Sequence, residues 1–265
     1  MNHHYIKQNG LTLLTPSWPQ IPNVHGFSTT RIGGGSAPPF DSLNLGLSTE
    51  DDPKIVAQNR EALKEAIGLK RAPYWLIQTH SNIAIEADHN YRQQEADASF
   101  TTKKSIISAV MTADCLPLLI AEKSGRGVAS IHAGWRSLVS GVIENTLTAL
   151  KEQLIEKGID SPSFQVWLAP AISQKHFEVG PEVREVFLKE GNLDEPTANA
   201  FTPSERANHY YADLYALARI RLARVGVAME DIYGGDRCTF EEEEYFFSYR
   251  RDGLKSGRMA TLIWM

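Results

Sequence analysis

The stretch from Thr112 to Arg136 constrains the fold of this chain more than any other, and it reads TADCLPLLIAEKSGRGVASIHAGWR. A glycine-containing turn separates two apolar runs, Leu116–Ala121 and Gly127–Ile131, and this pattern predicts two neighbouring strands. Cys115 then lies where the first strand begins, and His132 lies where the second strand ends. Side chains at one end of two paired strands can converge on a point that the sheet holds rigid.

A third candidate ligand, His80, ends an earlier strand-like run, Tyr74–Thr79. Two histidines and a cysteine make a site for one zinc ion, with three protein ligands and a fourth position for water. The three residues are widely separated and match no zinc-finger spacing. Surface histidines and an apolar, buried cysteine therefore stay open as alternatives. Gln78 and Asp114 are candidates to orient the ligands through hydrogen bonds.

The composition excludes several classes of protein. The 265 residues are 42% hydrophobic and 22% charged, which is typical of a globular protein. A net charge of −5 argues against the basic face that nucleic-acid binding requires. The sequence shows neither a secretory signal nor an apolar run of about 20 residues that could span a membrane. We therefore expect a cytoplasmic protein, with no nucleic-acid or membrane partner, whose Cys115 and Cys238 are not joined.

Apolar periodicity predicts the remaining helices and strands of one compact domain that mixes both. Further strands are predicted at Leu11–Leu14, Val24–Thr30, Ile106–Met111, Phe164–Leu168, Ile232–Tyr233, Tyr245–Tyr249 and Met259–Trp264. Helices are predicted to begin at Asp52-Pro53, to follow Arg136 with Ser137 as a cap, to run from Gly180-Pro181 to Leu188, and to span Ala212–Val225. The polar segment Asp88–Ser105 is expected to cross the surface.

Two further features suggest sites. Three consecutive glycines, Gly33–Gly35, permit a sharp turn or a close approach of the backbone to another group, but they match neither the dinucleotide fingerprint nor the P-loop. Several arginines lie beside glycines or predicted strand ends, and their planar guanidinium groups suit phosphate or carboxylate. They are Arg31, Arg136, Arg250, Arg251 and Arg258. A cluster at His176–Glu178 supplies candidate acids and bases, or it is structural.

Blocks along most of the chain resemble one known family. They are Gly26–Arg31 with Gly33-Gly34, Ser42–Gly46, Gln78–His80, Thr112–Pro117, His132–Arg136, Phe177–Gly180, Cys238-Thr239, Phe246–Asp252 and Gly257-Arg258. In order and identity they resemble the YfiH/YlmD family, relatives of the human laccase domain-containing protein that have been labelled polyphenol oxidases or laccases.

The resemblance implies an α+β fold, a four-layer α/β/β/α sandwich with mixed sheets that forms a single domain over residues 1–265. Its core is similar to the catalytic domain of a cytotoxic bacterial deamidase. The resemblance also implies that zinc is bound by the residues matching His80, Cys115 and His132. We expect a monomer or weak dimer.

The activity that the resemblance implies is zinc-dependent phosphorolysis of purine nucleosides (adenosine, inosine, guanosine and methylthioadenosine), together with deamination of adenosine. Deamination needs activated water at C6 and a proton-carrying carboxylate, and phosphorolysis needs phosphate at C1′. We predict catalytic roles for Asp114, Glu178 and His176, although many relatives carry cysteine or tyrosine just before the residue matching Phe177. Binding of substrate or phosphate is predicted for Arg31, Asn44, Gln78, Arg136, Arg250 and Arg258.

Three alternatives stay open. A copper-dependent polyphenol oxidase, or laccase, would need many histidines, commonly in His-X-His pairs, whereas this chain has eight histidines and no such pair. A Cys–His hydrolase or deamidase would use Cys115 as nucleophile and His132 as base. A protein without enzymatic activity would hold structural zinc with a fourth protein ligand.

Overall fold

The computed structural model describes residues 5–90, 92–191 and 194–265. The strands are β1 (Tyr5–Gln8), β2 (Leu11–Leu14), β3 (His25–Thr29), β4 (Ala84–Glu86), β5 (Ala98–Thr101), β6 (Ser108–Thr112), β7 (Leu116–Glu122), β8 (Val128–Ala133), β9 (Phe164–Leu168), β10 (Glu178–Val179), β11 (Phe201–Pro203), β12 (Tyr210–Ala212), β13 (Ile232–Gly234) and β14 (Met259–Trp264). The α-helices are α1 (Pro53–Ala66), α2 (Trp135–Val139), α3 (Val142–Glu156), α4 (Pro181–Glu190), α5 (Glu195–Asn199), α6 (Leu214–Arg224) and α7 (Tyr249–Asp252). Short 3-10 helices lie at Gln174–His176, Met229–Asp231 and Gly253–Lys255.

The strands form two large sheets and a small one. The first large sheet has the order β1-β2-β3-β14-β6 and is antiparallel throughout. The second has the order β13-β9-β7-β8-β5-β4 and is mixed, because β13–β9 and β4–β5 pair in parallel. The small sheet, β10-β12-β11, was not expected from the sequence.

The two large sheets pack face to face between layers of helices. Leu119 and Trp167 of the mixed sheet meet Ile263 of the antiparallel sheet in one buried cluster. Helix α1 covers the outer face of the antiparallel sheet through Leu63 and Ala66. Helices α3 and α6 cover the outer face of the mixed sheet in the largest cluster. The predicted four-layer α/β/β/α sandwich is therefore confirmed, although only one large sheet is mixed, and the single-domain assignment stays a prediction.

Several predicted elements need correction. The helix after Arg136 is broken into α2 and α3 at Gly141, whose φ of 93° interrupts the helix, and Ser137 lies within α2 rather than capping it. The segment Asp88–Ser105 does not stay on the surface, because it contains the fully buried strand β5. The run Tyr74–Thr79 makes isolated bridges at Tyr74 and Ile77 instead of a strand. At Gln78 it is the side-chain amide, and not the backbone, that hydrogen-bonds to the backbone of Met111.

The last third of the chain holds one more correction. Residues 245–248 form a turn and an irregular segment, and Tyr249 begins α7 behind its cap, Ser248. By contrast, α1 begins as predicted, with Pro53 in its first turn and the carboxylate of Asp52 accepting from the backbone N–H of Lys54. Along the described parts of the chain, no helix combines the length and apolar character that a membrane span needs.

In the loop of three glycines, the backbone of Gly33 and Gly34 packs directly against other backbone segments. A Cβ on Gly33 would lie 2.4 Å from the carbonyl oxygen of Gly10, and a Cβ on Gly34 would lie 2.3 Å from that of Ser42. A Cβ on Gly35 would have no neighbour closer than 3.9 Å. Close approach of backbone to backbone therefore explains Gly33 and Gly34, and the loop needs no ligand to explain it.

We predict that Gly34→Ala destabilises the protein and that Gly35→Ala does not. The methyl group at position 34 meets rigid backbone, and overpacking of this kind costs about 1–3 kcal/mol. The matched change at position 35 enters free space and should stay within about 0.5 kcal/mol. Denaturant unfolding of both variants measures the difference. Equal loss of stability in the two variants would contradict this account of the loop.

Candidate metal centre

Cys115 and His132 meet because β7 and β8 pair in antiparallel register. Leu116 lies opposite Ala133, and Pro117 lies opposite His132. The residue before Leu116 therefore lies at the end of the sheet where His132 ends its strand. The predicted pairing of these two strands is confirmed.

His80 completes the cluster from an irregular segment in place of a strand. Its φ of 60° is left-handed, and its ring lies T-shaped to that of His132 with the centroids 4.8 Å apart. Its Nε2 is 3.8 Å from Sγ of Cys115. The ligating atoms of the three residues lie within 4.8 Å of one another. The structure therefore brings together the three ligands predicted from the sequence.

The cluster fits a tetrahedral zinc ion. Zn–N and Zn–S bonds of about 2.1 and 2.3 Å put two ligand atoms about 3.6 Å apart, close to the separation between Cys115 and His80. Gly134 adds room, because a Cβ there would lie 2.8 Å from Cδ2 of His80 and 3.1 Å from Sγ of Cys115. His80 is exposed whereas His132 is buried, so the site opens to solvent on the His80 side.

Asp97 holds the centre together, and the sequence analysis did not identify it. The fully buried carboxylate accepts hydrogen bonds from the backbone N–H groups of His80 (3.1 Å) and Ser81 (2.6 Å). It also lies 2.7 Å from Nδ1 of His132. An ionised carboxylate can only accept, so Nδ1 donates and Nε2 keeps its lone pair for a metal. The apolar–polar alternation Ala96–Phe100 is the signal that could have revealed this strand.

Interactions among Asp97, Cys115 and His132 shift the pKa of each group toward its charged form. Burial by itself would raise the pKa of the Asp97 carboxyl, but hydrogen bonds from His132 and Ser81 and the charge of His132 hold it below its usual value. Burial would likewise raise the pKa of the Cys115 thiol, yet His132 and His80 lower it to about 6. Burial opposes protonation of His132, but Cys115 and Asp97 raise its pKa to about 9. Without metal, the centre therefore favours a thiolate beside an imidazolium.

Asp114 fixes the backbone that presents Cys115. Its φ is 91°, and its carboxylate accepts from the hydroxyl groups of Thr239 (2.6 Å) and Ser248 (3.0 Å). The backbone N–H of Arg250 adds a third hydrogen bond at 2.6 Å. These three hydrogen bonds satisfy the carboxylate of Asp114 within the chain itself.

The predicted binding residues differ in what they contact. Asn44 and Gln78 bond backbone groups: Oδ1 of Asn44 accepts from two N–H groups, and the amide of Gln78 pairs with Met111. The guanidinium of Arg31 bonds the carbonyl oxygens of Asp41 and Glu243. The hydrogen bonds of Asn44, Gln78 and Arg31 therefore hold backbone segments in place.

The other three arginines lie near or beside the centre. Burial lowers the pKa of Arg258, whereas the charge of Cys115 opposes that shift, which places this guanidinium within electrostatic reach of the thiol. Arg136 is exposed and stacks on Trp135, the residue after Gly134. Arg250 donates through Nη1 to the carbonyl oxygens at positions 176 and 178.

The side chains of His176 and Glu178 belong to the segment whose carbonyl oxygens bind the guanidinium of Arg250. The ring of His176 stacks on Phe240 with the centroids 4.4 Å apart, and its Nε2 is 3.1 Å from Oε1 of Glu241. Glu178 is half-buried in β10, where it pairs with Tyr211. His176 therefore belongs to a second cluster of side chains, separate from the three predicted ligands.

Comparison with known proteins identifies the family. Residues 25–265 match the model of a family described as multi-copper polyphenol oxidoreductase laccase. The chain is 46% identical to the purine nucleoside phosphorylase YfiH of Escherichia coli, covering 96% of this chain and 98% of that protein. It is 43% identical to a purine nucleoside phosphorylase of Pseudomonas aeruginosa, covering 95% and 98%.

Solved structures agree with the sequence relatives. A Neisseria meningitidis protein gives a TM-score of 0.85 at 43% identity, with 96% of this chain and 98% of that chain covered. YlmD from Geobacillus stearothermophilus gives 0.85 at 27% identity, with 99% of each chain covered. The chain belongs to the YfiH/YlmD family, whose family model carries the laccase description.

We predict that Asp97→Asn weakens metal binding. The amide cannot accept from every donor now aimed at the carboxylate, and the loss of an orienting partner typically lowers metal affinity about 10- to 100-fold. Competition with a chromophoric chelator measures the affinity. Glu95→Gln, an exposed change of the same chemistry two residues away, is the control and should bind as the wild type does. Equal affinity in the two variants would refute the role of Asp97.

Proposed function

We propose that this protein is a zinc-dependent purine nucleoside phosphorylase that also deaminates adenosine. The observation that carries the proposal is the convergence of His80, Cys115 and His132 at an open, three-ligand centre. The names of the relatives in Escherichia coli and Pseudomonas aeruginosa support the reaction class. The proposed substrates are phosphate with adenosine, inosine, guanosine or methylthioadenosine, and the products are the free base and ribose 1-phosphate.

The donor set favours zinc over copper. Two imidazoles and one thiolate with an open position match a catalytic zinc site. Multicopper oxidation would need a blue-copper centre and a separate three-copper cluster, each rich in histidine. Over residues 5–90, 92–191 and 194–265, the groups that could hold a metal contain two histidines in one case and one in the other. Copper in the first group is the alternative, and metal analysis with an anaerobic assay distinguishes the two.

The chain's own residues prepare the centre for this chemistry. When bound, zinc supplies a Lewis acid and makes water more acidic. Asp97 holds His132 in the tautomer whose Nε2 faces the ligand cluster. Asp114 fixes the turn that presents Cys115, and we propose that it acts by positioning because its carboxylate already receives three hydrogen bonds.

Arginines supply the charge that phosphate needs. We propose that Arg136 and Arg258 bind phosphate. Arg136 lies in the helix that follows Gly134, and the guanidinium of Arg258 interacts electrostatically with Cys115. Guanidinium groups in these places would hold the nucleophile against C1′ and stabilise the charge of its attack. Arg250 fixes the backbone of His176 and Glu178, and Glu178 is our remaining candidate for a proton carrier.

A Cys–His hydrolase is the second candidate function. The thiol of Cys115 with a pKa of about 6, the imidazole of His132 and the carboxylate of Asp97 have the order of a nucleophile, a base and an orienting group. Alkylation separates the two proposals. Inactivation by iodoacetamide with the metal still bound would favour the hydrolase, whereas protection of Cys115 by metal favours the zinc enzyme.

The remaining proposals concern the setting of the enzyme. Both cysteines are free thiols, as expected for a protein of the cytoplasm, where we propose that it acts. We also propose a monomer or weak dimer with no nucleic-acid or membrane partner, consistent with the acidic net charge.

We predict that His80→Ala abolishes both activities and the stoichiometric binding of zinc at this centre. The variant loses one of three ligands, but the exposed position of His80 leaves the fold unchanged. The three readouts are the loss of one equivalent of zinc relative to the wild type, the release of adenine with phosphate, and the formation of inosine without phosphate. His89→Ala removes another exposed histidine and should behave as wild type. Activity in a His80→Ala protein that has lost this equivalent of zinc would overturn the proposal.

We predict that Arg136→Gln impairs phosphorolysis selectively. Loss of one guanidinium contact should raise the KM for phosphate by about 10- to 150-fold, since a charge-assisted hydrogen bond contributes about 1.5–3 kcal/mol. Deamination of adenosine does not use phosphate and should keep its rate. Arg92→Gln, at another exposed arginine, is the control. A parallel loss of both activities would show that Arg136 does not act through phosphate.

A further inference from the structure

We propose a second cation site, built from His176, Cys238 and Glu241. One ligand atom from each residue lies within 4.8 Å of the other two. The set offers an imidazole nitrogen, a thiolate and a carboxylate, all of which bind zinc in proteins. Because thiolate and carboxylate together carry two negative charges, a divalent ion would leave the site electrically neutral.

The imidazole of His176 faces the carboxylate of Glu241. Its Nε2 is inaccessible to solvent. Oε1 of Glu241 is 3.1 Å away. Stacking on Phe240 at an interplanar angle of 18° holds the ring in place. A cation bound by both Nε2 and the carboxylate would replace the direct contact between them.

The sulfur of Cys238 is buried and accepts two hydrogen bonds. Cys238 is 5% exposed, and its Sγ accepts from the hydroxyl group of Ser173 at 3.1 Å and from the backbone N–H of Ser173 at 3.4 Å. Two polar donors therefore point at this sulfur, which is the atom that would bind metal. An apolar core cysteine would have no need of them.

Glu241 can reach the site at little cost. Its carboxylate now pairs with Lys175 at 2.6 Å, and the side chains are 44% and 73% exposed. Such an exposed ion pair stabilises the fold only weakly, so a metal ion can displace the ammonium group. The three ligands would then tie the 3-10 helix at Gln174–His176 to the turn after Cys238.

This second site is connected to the first centre through Asp114. Thr239, next to Cys238, donates to the carboxylate of Asp114, and Cys115 follows Asp114 in the chain. The N–H of Arg250 donates to the same carboxylate, while the guanidinium of Arg250 binds the carbonyl oxygen of His176. A metal at the second site would therefore fix the segments that hold Asp114, and His176 would act as a ligand.

Cobalt binding in a protein that lacks the first thiol tests the proposal. Cys115→Ser disables the first centre, so any thiolate-to-cobalt charge-transfer band must come from Cys238. We expect this variant to show that band with one equivalent of Co²⁺ and to lose it when Zn²⁺ is added. The double variant Cys115→Ser/Cys238→Ser should show no band. Absence of the band from a folded Cys115→Ser protein would overturn the proposal.

Replacing the carboxylate distinguishes a site from a lone thiol. In the Cys115→Ser background, Glu241→Gln should weaken Co²⁺ binding by about tenfold or more, because a charged ligand is lost. Glu244→Gln, in the same acidic turn and exposed, should leave the affinity unchanged. Equal affinities would exclude Glu241 as a ligand. If Cys115→Ser does not fold, zinc-edge anomalous diffraction from wild-type crystals decides, since a second peak beside Cys238 supports the site and its absence refutes it.

Discussion

The carboxylate of Asp97 is the group on which the centre depends. It is fully buried, which is costly for a charge unless donors surround it. Here the donors are the ring of His132 and the backbone around His80 and Ser81, so the same bonds that satisfy the charge also bring two ligands together. Removing the carboxylate would release the His80 segment and leave His132 without its orienting partner.

The surrounding fold supplies the third ligand and the space between the ligands. Antiparallel pairing of β7 and β8 brings Cys115 to the end of the sheet where His132 lies, and Asp114 holds the turn in a left-handed conformation. Gly134 keeps the volume next to the sulfur free of side-chain atoms. The rigid sheet, the left-handed turn and the absence of a side chain at Gly134 together leave one face of the cluster open.

The sequence allowed prediction of the strands that carry Cys115 and His132, because their apolar runs are long and the turn between them contains glycine. It failed at β5, since polar residues on both sides of a four-residue strand hide its burial, and Asp97 was missed with it. The arginine hypotheses were weaker for a related reason. Arg31, Arg136 and Arg258 look alike in the sequence, and only their neighbours in space distinguish loop support from a place beside the centre.

Local chemistry along the chain thus determined the ligand types, the family resemblance and most of the core. Such features depend on periodicity and on residues close in sequence. The tertiary structure alone decided that a distant carboxylate orients His132, that the glycines serve the packing of the chain against itself, and that His176, Cys238 and Glu241 meet. These contacts join segments far apart in sequence, and their geometry is set by the packing of whole sheets, which no local pattern encodes.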